Sequence, residues 1–400
     1  MSASSTAAMP QLETDYVARA REIAPVIEAA AARTEAGREL APEVVSALHE
    51  AGLFRMMMPT WLGGGETPPS VFAAVIETIA RADASAAWCL CQMDVCSISS
   101  VYLDRKVAEE VFGPERSALA WGSTTDAKAV SVPGGYRVSG SWEFGSGCHH
   151  ATWLGGHIPV VEEDGTPRLD AKGQPLDRSM LFPKSSARMS DVWKVLGLRG
   201  TGSDKYTLED EFIPEERTIT SLFRWPDAPR LKLAAPYRFG GSSLYASGFS
   251  MTSLGNARGM LDLFLEVARQ KVPRFTTNPL ANNMVVQVAV AEADAKLESA
   301  RVYLLQTLRD SEAAAICRGE LSMDERMKIR AATTYAIRLA TRVVEQLYEL
   351  AGSTAIFEGN PFERRFRDAH TISQHAQGRI SHLETVGKHL LGVEQVARFV

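Results

Sequence analysis

Cysteine and histidine are scarce in this chain, and basic charge is not in excess. Its 400 residues hold five cysteines, eight histidines, and 43 lysines and arginines against 48 aspartates and glutamates, a formal charge of −5. Without a basic field to grip phosphate backbones, nucleic acid is not expected as a partner. Long uncharged apolar runs are missing too. The longest charge-free stretch, Phe239 to Ala257, carries four glycines, five serines, a threonine and an asparagine, so no membrane span is expected. Met1–Pro10 has neither the basic flank nor the apolar centre of a secretory leader, which predicts a cytoplasmic protein. Cys89, Cys91, Cys96, Cys148 and Cys317 are odd in number and sparse, which argues for reduced thiols rather than a disulfide framework. The first three are not spaced as CxxC, and no histidine lies between His49 and His149. They read as core packing, and no metal site is expected. Nucleotide loops are lacking as well. Gly145-Ser146-Gly147 and Gly200-Thr201-Gly202 begin as GxG, but His150 and Lys205 stand where the third glycine would fall, and no GxxxxGK[ST] run occurs. Electrons for any redox chemistry are therefore expected from elsewhere.

What is present is an ordinary globular composition, 45% hydrophobic and 23% charged, long enough for two or three packed units. Tyr16, Ala20, Ile23, Ile27 and Ala30 form a helical stripe; Pro42, Val44, Val45 and Leu48 predict a second helix stopped by Gly52; Val71, Val75 and Ile79 predict a third. Near residue 119 the period becomes two. Tyr136, Val138, Gly140, Trp142 and Phe144 alternate, and Tyr206, Leu208 and Phe212 share one parity, each set read as a strand with one buried side. Trp153–Val161 and Met180–Phe182 are further short apolar runs. From about 240 the helical period returns. Ser322 and Glu325 have capping-box spacing, and Ala332, Tyr335, Leu339, Val343, Leu347 and Leu350 form a stripe closed by Gly352. The expected architecture is mostly α with a central β domain: a helical domain over 1–118, a β domain over 119–225 and a helical bundle over 226–400.

Histidine, the natural general base near neutral pH, clusters twice: His149 and His150 follow the Gly-Ser-Gly turn, and His370 and His375 follow Asp368. Arg274, and the cluster Arg364, Arg365 and Arg367, could fork a phosphate; surface ion pairs with Glu363 and Asp368 are the simpler reading of the cluster.

The helix–strand–helix order resembles the acyl-CoA dehydrogenase fold over essentially the whole chain. The matching runs are Leu196-Gly197-Leu198-Arg199-Gly200-Thr201-Gly202-Ser203, Phe212-Ile213-Pro214-Glu215, and Pro361-Phe362-Glu363-Arg364-Arg365-Phe366-Arg367-Asp368-Ala369. The resemblance implies a helical domain, a β-barrel or sandwich and a helix bundle. In the dehydrogenase branch with a late-helix base, a Glu-Gly pair follows the Arg-Asp-Ala run. Ala376 stands there, and Glu358-Gly359 precedes the run instead.

Ser85-Ala86-Ala87-Trp88, Phe144-Gly145-Ser146-Gly147-Cys148-His149-His150-Ala151 and the placing of His375 resemble a different branch: the flavin-dependent oxygenase components of two-component monooxygenases. That family includes 4-hydroxyphenylacetate hydroxylase, the steroid-catabolic phenol hydroxylase and dibenzothiophene monooxygenase. The resemblance implies reduced FMN or FAD delivered by a separate NAD(P)H:flavin reductase, O2 activated as a C4a-hydroperoxyflavin, a small aromatic or heteroaromatic substrate, and a homo-oligomer of tetramer size. By the same resemblance, Ser146 hydrogen-bonds the flavin near N5. His375 sits beside the reacting oxygens as a base, at the ordinary imidazole pKa. Trp121 and Ser123 meet the flavin ring. Arg274 reaches a flavin phosphate across a subunit boundary, with Gln346 and Gly352 near a neighbour's cofactor. Trp88, Cys96, His149 and His150 are expected on the substrate side, and Trp88, Trp121, Trp142, Trp153 and Trp193 as candidates for dry walls. Several relatives carry a further histidine where Gln92, Asp94 and Cys96 stand here; His149 or His150 could take its place. An acyl-CoA dehydrogenase-like flavoprotein with a non-standard base, a nitrogen or sulfur oxygenase, and a ligand-binding protein of the same fold are the alternatives.

Overall fold

The computed structural model describes residues 8–171, 173–220 and 233–393, with side chains from Asp15 onward. The boundary expected at 225 and most of Met1–Pro10 lie outside these residues. Helices α1 (Ala8–Gly37), α2 (Pro42–Glu50), α3 (Pro69–Ala82), α4 (Ala84–Ser97) and α5 (Arg105–Phe112) come first. The strands follow: β1 (Leu119–Trp121), β2 (Lys128–Val132), β3 (Gly135–Trp142), β4 (Trp153–Val161), β5 (Asp177–Pro183), β6 (Arg188–Ser190), β7 (Lys205–Pro214) and β8 (Thr218–Thr220). Helices α6 (Gly241–Gln270), α7 (Met284–Arg318), α8 (Met323–Ala351), α9 (Pro361–Gln374) and α10 (Ser381–Leu390) complete the chain. None of the described helices is long and apolar enough to cross a membrane.

The helical stripes pack as their spacing dictates. Tyr16, Ala20, Ile27 and Ala30 are buried on α1, and Val71, Val75 and Ile79 on α3. Helix α6, the charge-poor stretch, is the central one and packs against α3, α4, α8 and α9. Its small residues permit this: a side chain at Gly248 would run into the Cys91 thiol, and one at Gly255 into the Glu77 carbonyl. The capping box forms as its spacing requires, with the Ser322 hydroxyl accepting from the Glu325 amide. Tyr335 departs from the expected stripe. It is 45% exposed, because the face turned to the core runs through Ala336, Ala340 and Val343.

The sheet order is β6-β7-β3-β2-β4-β5-β8, with β1 parallel beside β4. On β3, Tyr136, Val138 and Trp142 point inward as alternation demands. Phe144 does not continue the strand. Its φ is 59° and it is exposed at the edge of the site described below. Phe212, expected inside with Tyr206 and Leu208, is exposed, and Ile213 is buried in its stead. The cause is a bulge: β3 pairs Gly140 with Leu208 but Val138 with Glu211, and Asp210 has φ 53°. One extra residue in a strand exchanges its two faces.

Candidate active site

Two segments distant in sequence build the site's frame. Asp368, buried on α9, accepts a hydrogen bond from the Leu198 amide at 2.6 Å. Gly197 lies so close to the Arg367 carbonyl that a side chain there would collide with it. The Leu-Gly-Leu-Arg-Gly-Thr-Gly-Ser loop is thereby fixed to the helix that ends at His375. Leu198 has φ 52° and Gly202 φ 49°, so the loop turns back on itself and brings Ser203 under the Gly145-Ser146-Gly147 turn. Gly147, at φ 79°, could carry a Cβ only 2.7 Å from the Met93 sulfur, which explains glycine there.

Between the strand layer, α4, α6 and α9 lies a cavity of about 660 Å³. Strand-side residues Trp121, Ser123, Ser146 and His157 line it, with Trp88 and Gln92 from α4, Tyr245 and Phe249 from α6, and His375 at the end of α9. No aspartate or glutamate is among the described residues lining it. A cleft of about 730 Å³ between α3 and α6 is different in kind. Its charges answer one another, Arg81 with Asp262 at 2.6 Å and Arg301 with Glu77 at 2.8 Å.

Within the cavity Trp88 is the hub. Its indole stacks on Phe249 with centroids 3.8 Å apart, meets His375 edge-on at 5.1 Å, and donates its N–H to the Ser146 hydroxyl at 3.1 Å. Ser146 and His375 thus lie on one wall, joined through a single aromatic side chain. The His375 ring Nδ1 accepts from the Gln377 amide at 3.3 Å, which places the proton of the neutral imidazole on Nε2. Burial, with Arg379 adding to it, lowers the His375 pKa to about 4. The ordinary value expected from sequence does not hold, because the ring is packed between apolar neighbours.

The backbone at Trp121–Ser123 is held on both sides. Gln92 donates its amide to the Trp121 carbonyl at 3.1 Å, the Gly122 amide donates to Tyr206 at 2.7 Å, and Ser123 exchanges two backbone hydrogen bonds with Glu143. Cys96 stands one layer behind, its thiol 3.3 Å from the Tyr245 hydroxyl, and burial pushes its pKa up to about 12. Of the five tryptophans considered as walls, Trp88, Trp121 and Trp193 line the cavity. Trp142 is instead core, stacked on Tyr206, and Trp153 lies under the Arg217 guanidinium.

His149 and His150 do not line the cavity. His149 is clamped between Asp204 (2.7 Å) and Glu39 (3.2 Å), and His150 accepts from the Leu40 amide at 3.1 Å. Both tie α1 and its loop to the strand layer. Arg274, Gln346 and Gly352 do not line it either. Arg274 lies past the end of α6 against the Phe275 ring, and Gly352 ends α8. These two regions are themselves adjacent, since Lys271 donates to the Ala351 carbonyl at 2.6 Å and to Thr354 at 2.7 Å.

Sequence reasoning missed His157. It projects from β4 into the cavity wall, edge-on to Trp121 at 4.9 Å, with Nδ1 2.6 Å from the Ser179 hydroxyl, and burial lowers its pKa to about 4. The available signal was a lone histidine after Gly155-Gly156 in an otherwise apolar strand. Those glycines make room for aromatic rings: a Cβ on Gly155 would touch Trp121, and one on Gly156 would collide with Trp142.

Residues 16–103 match the acyl-CoA dehydrogenase N-terminal domain and residues 247–379 the acyl-CoA dehydrogenase C-terminal domain. The oxygenase subunit HsaA of a flavin-dependent monooxygenase from Rhodococcus jostii is 30% identical over 88% of this chain and 91% of its own length. Indole-3-acetate monooxygenase from Pseudomonas putida is 28% identical over 85% of this chain and 84% of its own. Among solved structures, XiaF from Streptomyces, in complex with FADH2 and glycerol, superposes with a TM-score of 0.90 at 24% identity, covering 98% of each chain. With a relative of that identity and coverage, and a fold shared from end to end, the chain belongs to the flavin-dependent monooxygenases, as an oxygenase subunit built on the acyl-CoA dehydrogenase fold.

Proposed function

We propose that this protein inserts one atom of O2 into an aromatic or heteroaromatic small molecule, using reduced FMN or FAD received from a separate NAD(P)H:flavin reductase in the cytoplasm. The observation that carries the reading is the junction of Ser146, Trp88 and His375 on one wall of an aromatic cavity free of carboxylates among its described lining. A dehydrogenase needs a carboxylate there to take an α-proton; Ala376 occupies the position after the Arg-Asp-Ala run, and Glu358 borders a different cleft.

The residues fit a flavin. Tryptophan faces, a small hydroxyl on a glycine turn and a volume of about 660 Å³ suit a flat, uncharged, nitrogen-rich ring with room for an aromatic partner. When bound, the reduced flavin supplies the electrons that activate O2 for transfer to an electron-rich acceptor. The protein positions and dries the site. Ser146 would hydrogen-bond the ring edge at N5 and Trp121 and Ser123 would hold the ring, while Trp88 and Phe249 close the acceptor side against water. His375 presents Nε2–H to the acceptor's oxygen or nitrogen substituent. It could accept a phenol's proton at Nε2 only in the other tautomer, with Nδ1 protonated and the contact with the Gln377 amide broken. Gln92, Tyr245 and His157 are among the remaining polar groups of the lining and stand in place of the helix histidine of relatives.

Arg274, Gln346 and Gly352 serve the cofactor of a neighbouring copy, in a homo-oligomer of tetramer size. The meeting of the Arg274 and Gly352 regions through Lys271, and the absence of all three residues from this chain's own described cavity lining, support that assignment. The segments 1–118, 119–225 and 226–400 are proposed as the three units that meet at the cavity.

The test is a product screen of aromatic candidates with a generic flavin reductase, NADH and isotopically labelled O2. A product carrying one labelled oxygen is expected. Peroxide release unaffected by the protein, or anaerobic bleaching of a tightly held flavin by an acyl-CoA, refutes the proposal.

A further inference from the structure

Ser146, Ser203 and Thr201 form an unbroken row of hydroxyls. Ser146 Oγ lies 2.6 Å from Ser203 Oγ, Ser203 Oγ lies 2.6 Å from Thr201 Oγ1, and Thr201 Oγ1 lies 2.8 Å from the Leu198 carbonyl oxygen. Each hydroxyl has one proton, and a carbonyl only accepts. The row can therefore be ordered from its end. The Leu198 carbonyl also accepts from the Trp193 indole N–H at 3.0 Å and from the Thr201 amide at 3.1 Å, but its 2.8 Å contact with Thr201 Oγ1 is a hydrogen bond only if Thr201 gives its proton there, and Thr201 then accepts from Ser203. Ser203, having spent its proton on Thr201, can only accept from Ser146. At the head of the row, the Trp88 indole N–H, which only donates, points at Ser146. All three hydroxyl residues are at least nine-tenths buried.

One consequence concerns the cavity. The Ser146 proton is committed to Ser203 and one lone pair to Trp88, and the group that remains to face the cavity is the other lone pair. We infer that this row makes Ser146 a fixed hydrogen-bond acceptor toward the cavity, by which the protein distinguishes the reduced flavin from the oxidised one. The inference rests on the reading of Ser146 as the partner of flavin N5. A reduced flavin carries a hydrogen on N5 and can donate to that lone pair. An oxidised flavin has a bare lone pair on N5, and two lone pairs facing each other in a dry site repel. Ser203, which borders the cavity beside Ser146, and Thr201, which lies behind it, are then positioning residues for redox-state selection. Trp88 acts in the same sense by holding the first lone pair. The backbone anchor is Asp368, whose bond to the Leu198 amide fixes the residue that ends the row.

The experiment is a titration of wild type and variants with oxidised FMN or FAD and, anaerobically, with the same flavin reduced. Wild type is expected to hold the reduced form at least about tenfold more tightly, the worth of one hydrogen bond. Thr201→Val keeps the shape but removes the proton that orders the row. Ser203→Ala removes the acceptor for the Ser146 proton. In both, Ser146 can turn its proton to the cavity, and the ratio of the two dissociation constants should shrink several-fold, chiefly by tighter oxidised binding. Thr201→Ser, which keeps the hydroxyl, should restore the ratio and so controls for folding. If Thr201→Val and Ser203→Ala keep the wild-type ratio, or weaken both forms equally, while Ser146→Ala abolishes it, the inference fails and the reading of Ser146 stands. If Ser146→Ala alters neither affinity, both fail together.

Discussion

Replacing Asp368 by asparagine should flatten the dependence of stability on pH. The carboxyl is buried on α9 and bonded to the Leu198 amide. Burial first, and the nearby Asp83 second, raise its pKa to about 7, against the partial relief given by the Leu198 amide and Arg364. An unfolded aspartate ionises near pH 3.8. Between about pH 4 and pH 7 the folded chain therefore keeps a proton that the unfolded chain has released. The contribution of this group is complete below pH 4 and is lost as pH rises through 7. Over the full range this amounts to roughly 4 kcal/mol, of which about 2–3 kcal/mol falls between pH 5 and pH 8. Asparagine cannot ionise, yet its carbonyl oxygen can still accept from Leu198. Urea melts followed by far-UV circular dichroism at pH 5 and pH 8 should show a loss in wild type that is smaller in Asp368→Asn by about that amount. An equal destabilisation of the variant at both pH values would refute the reasoning, for it would mean that an ionised carboxylate, paired with Arg364, is what holds the loop.

The other expectations concern the cavity. His375→Ala should reduce turnover by about 10²–10⁴-fold, with a much smaller change in reduced-flavin affinity, as read by product formation beside anaerobic titration. Since burial lowers the His375 pKa to about 4, its ring stays neutral across pH 6–8 and turnover should show no imidazole titration from it there. Its contribution to stability is present above about pH 6.5 and is lost as pH falls through 4, which acid denaturation of wild type against His375→Gln would register. Gly147→Ala places a Cβ 2.7 Å from the Met93 sulfur at a φ of 79°. A loss of about 1–3 kcal/mol is expected in denaturant melts, with the Ser146 turn displaced. His157→Phe should raise the KM for the aromatic acceptor while leaving the reduced-flavin dissociation constant close to that of wild type.

Much of the fold was legible because periodicity reports which side of an element is buried, and burial is what fixes the element. The α1 and α3 stripes and the β3 alternation follow that logic. Where the reading failed, a local irregularity intervened. The bulge at Asp210 turned Phe212 outward, and the φ of 59° at Phe144 ended a strand that alternation alone would extend. Phenylalanine gives no signal of a left-handed backbone, and aspartate a much weaker one than glycine. Within the site, Ser146 was singled out through the resemblance of the Phe-Gly-Ser-Gly-Cys-His-His-Ala run, and the structure places it on the cavity wall. His149 and His150 drew attention by adjacency to that turn, yet a turn sends successive side chains in different directions, and theirs point to Asp204 and Leu40.

The hydroxyl row could not be read from sequence, and the reason bears on how the site works. Serine and threonine in Gly-Thr-Gly-Ser look like turn residues, and as turn residues they carry no direction. Direction arises only where the row ends on a group with a single hydrogen-bonding sense. Here those ends are the Leu198 carbonyl and the Trp88 indole N–H, which come from the loop between β6 and β7 and from α4. The strand layer supplies Ser146, the N-terminal helices its donor, and α9, through Asp368, the anchor for its acceptor. The row itself, from Ser146 to Leu198, lies wholly in the strand region. The helices hold its two ends, α4 by the Trp88 N–H on Ser146 and α9 by the Asp368 carboxyl on the Leu198 amide, so the direction proposed for the Ser146 proton depends on how these elements pack against the strand layer.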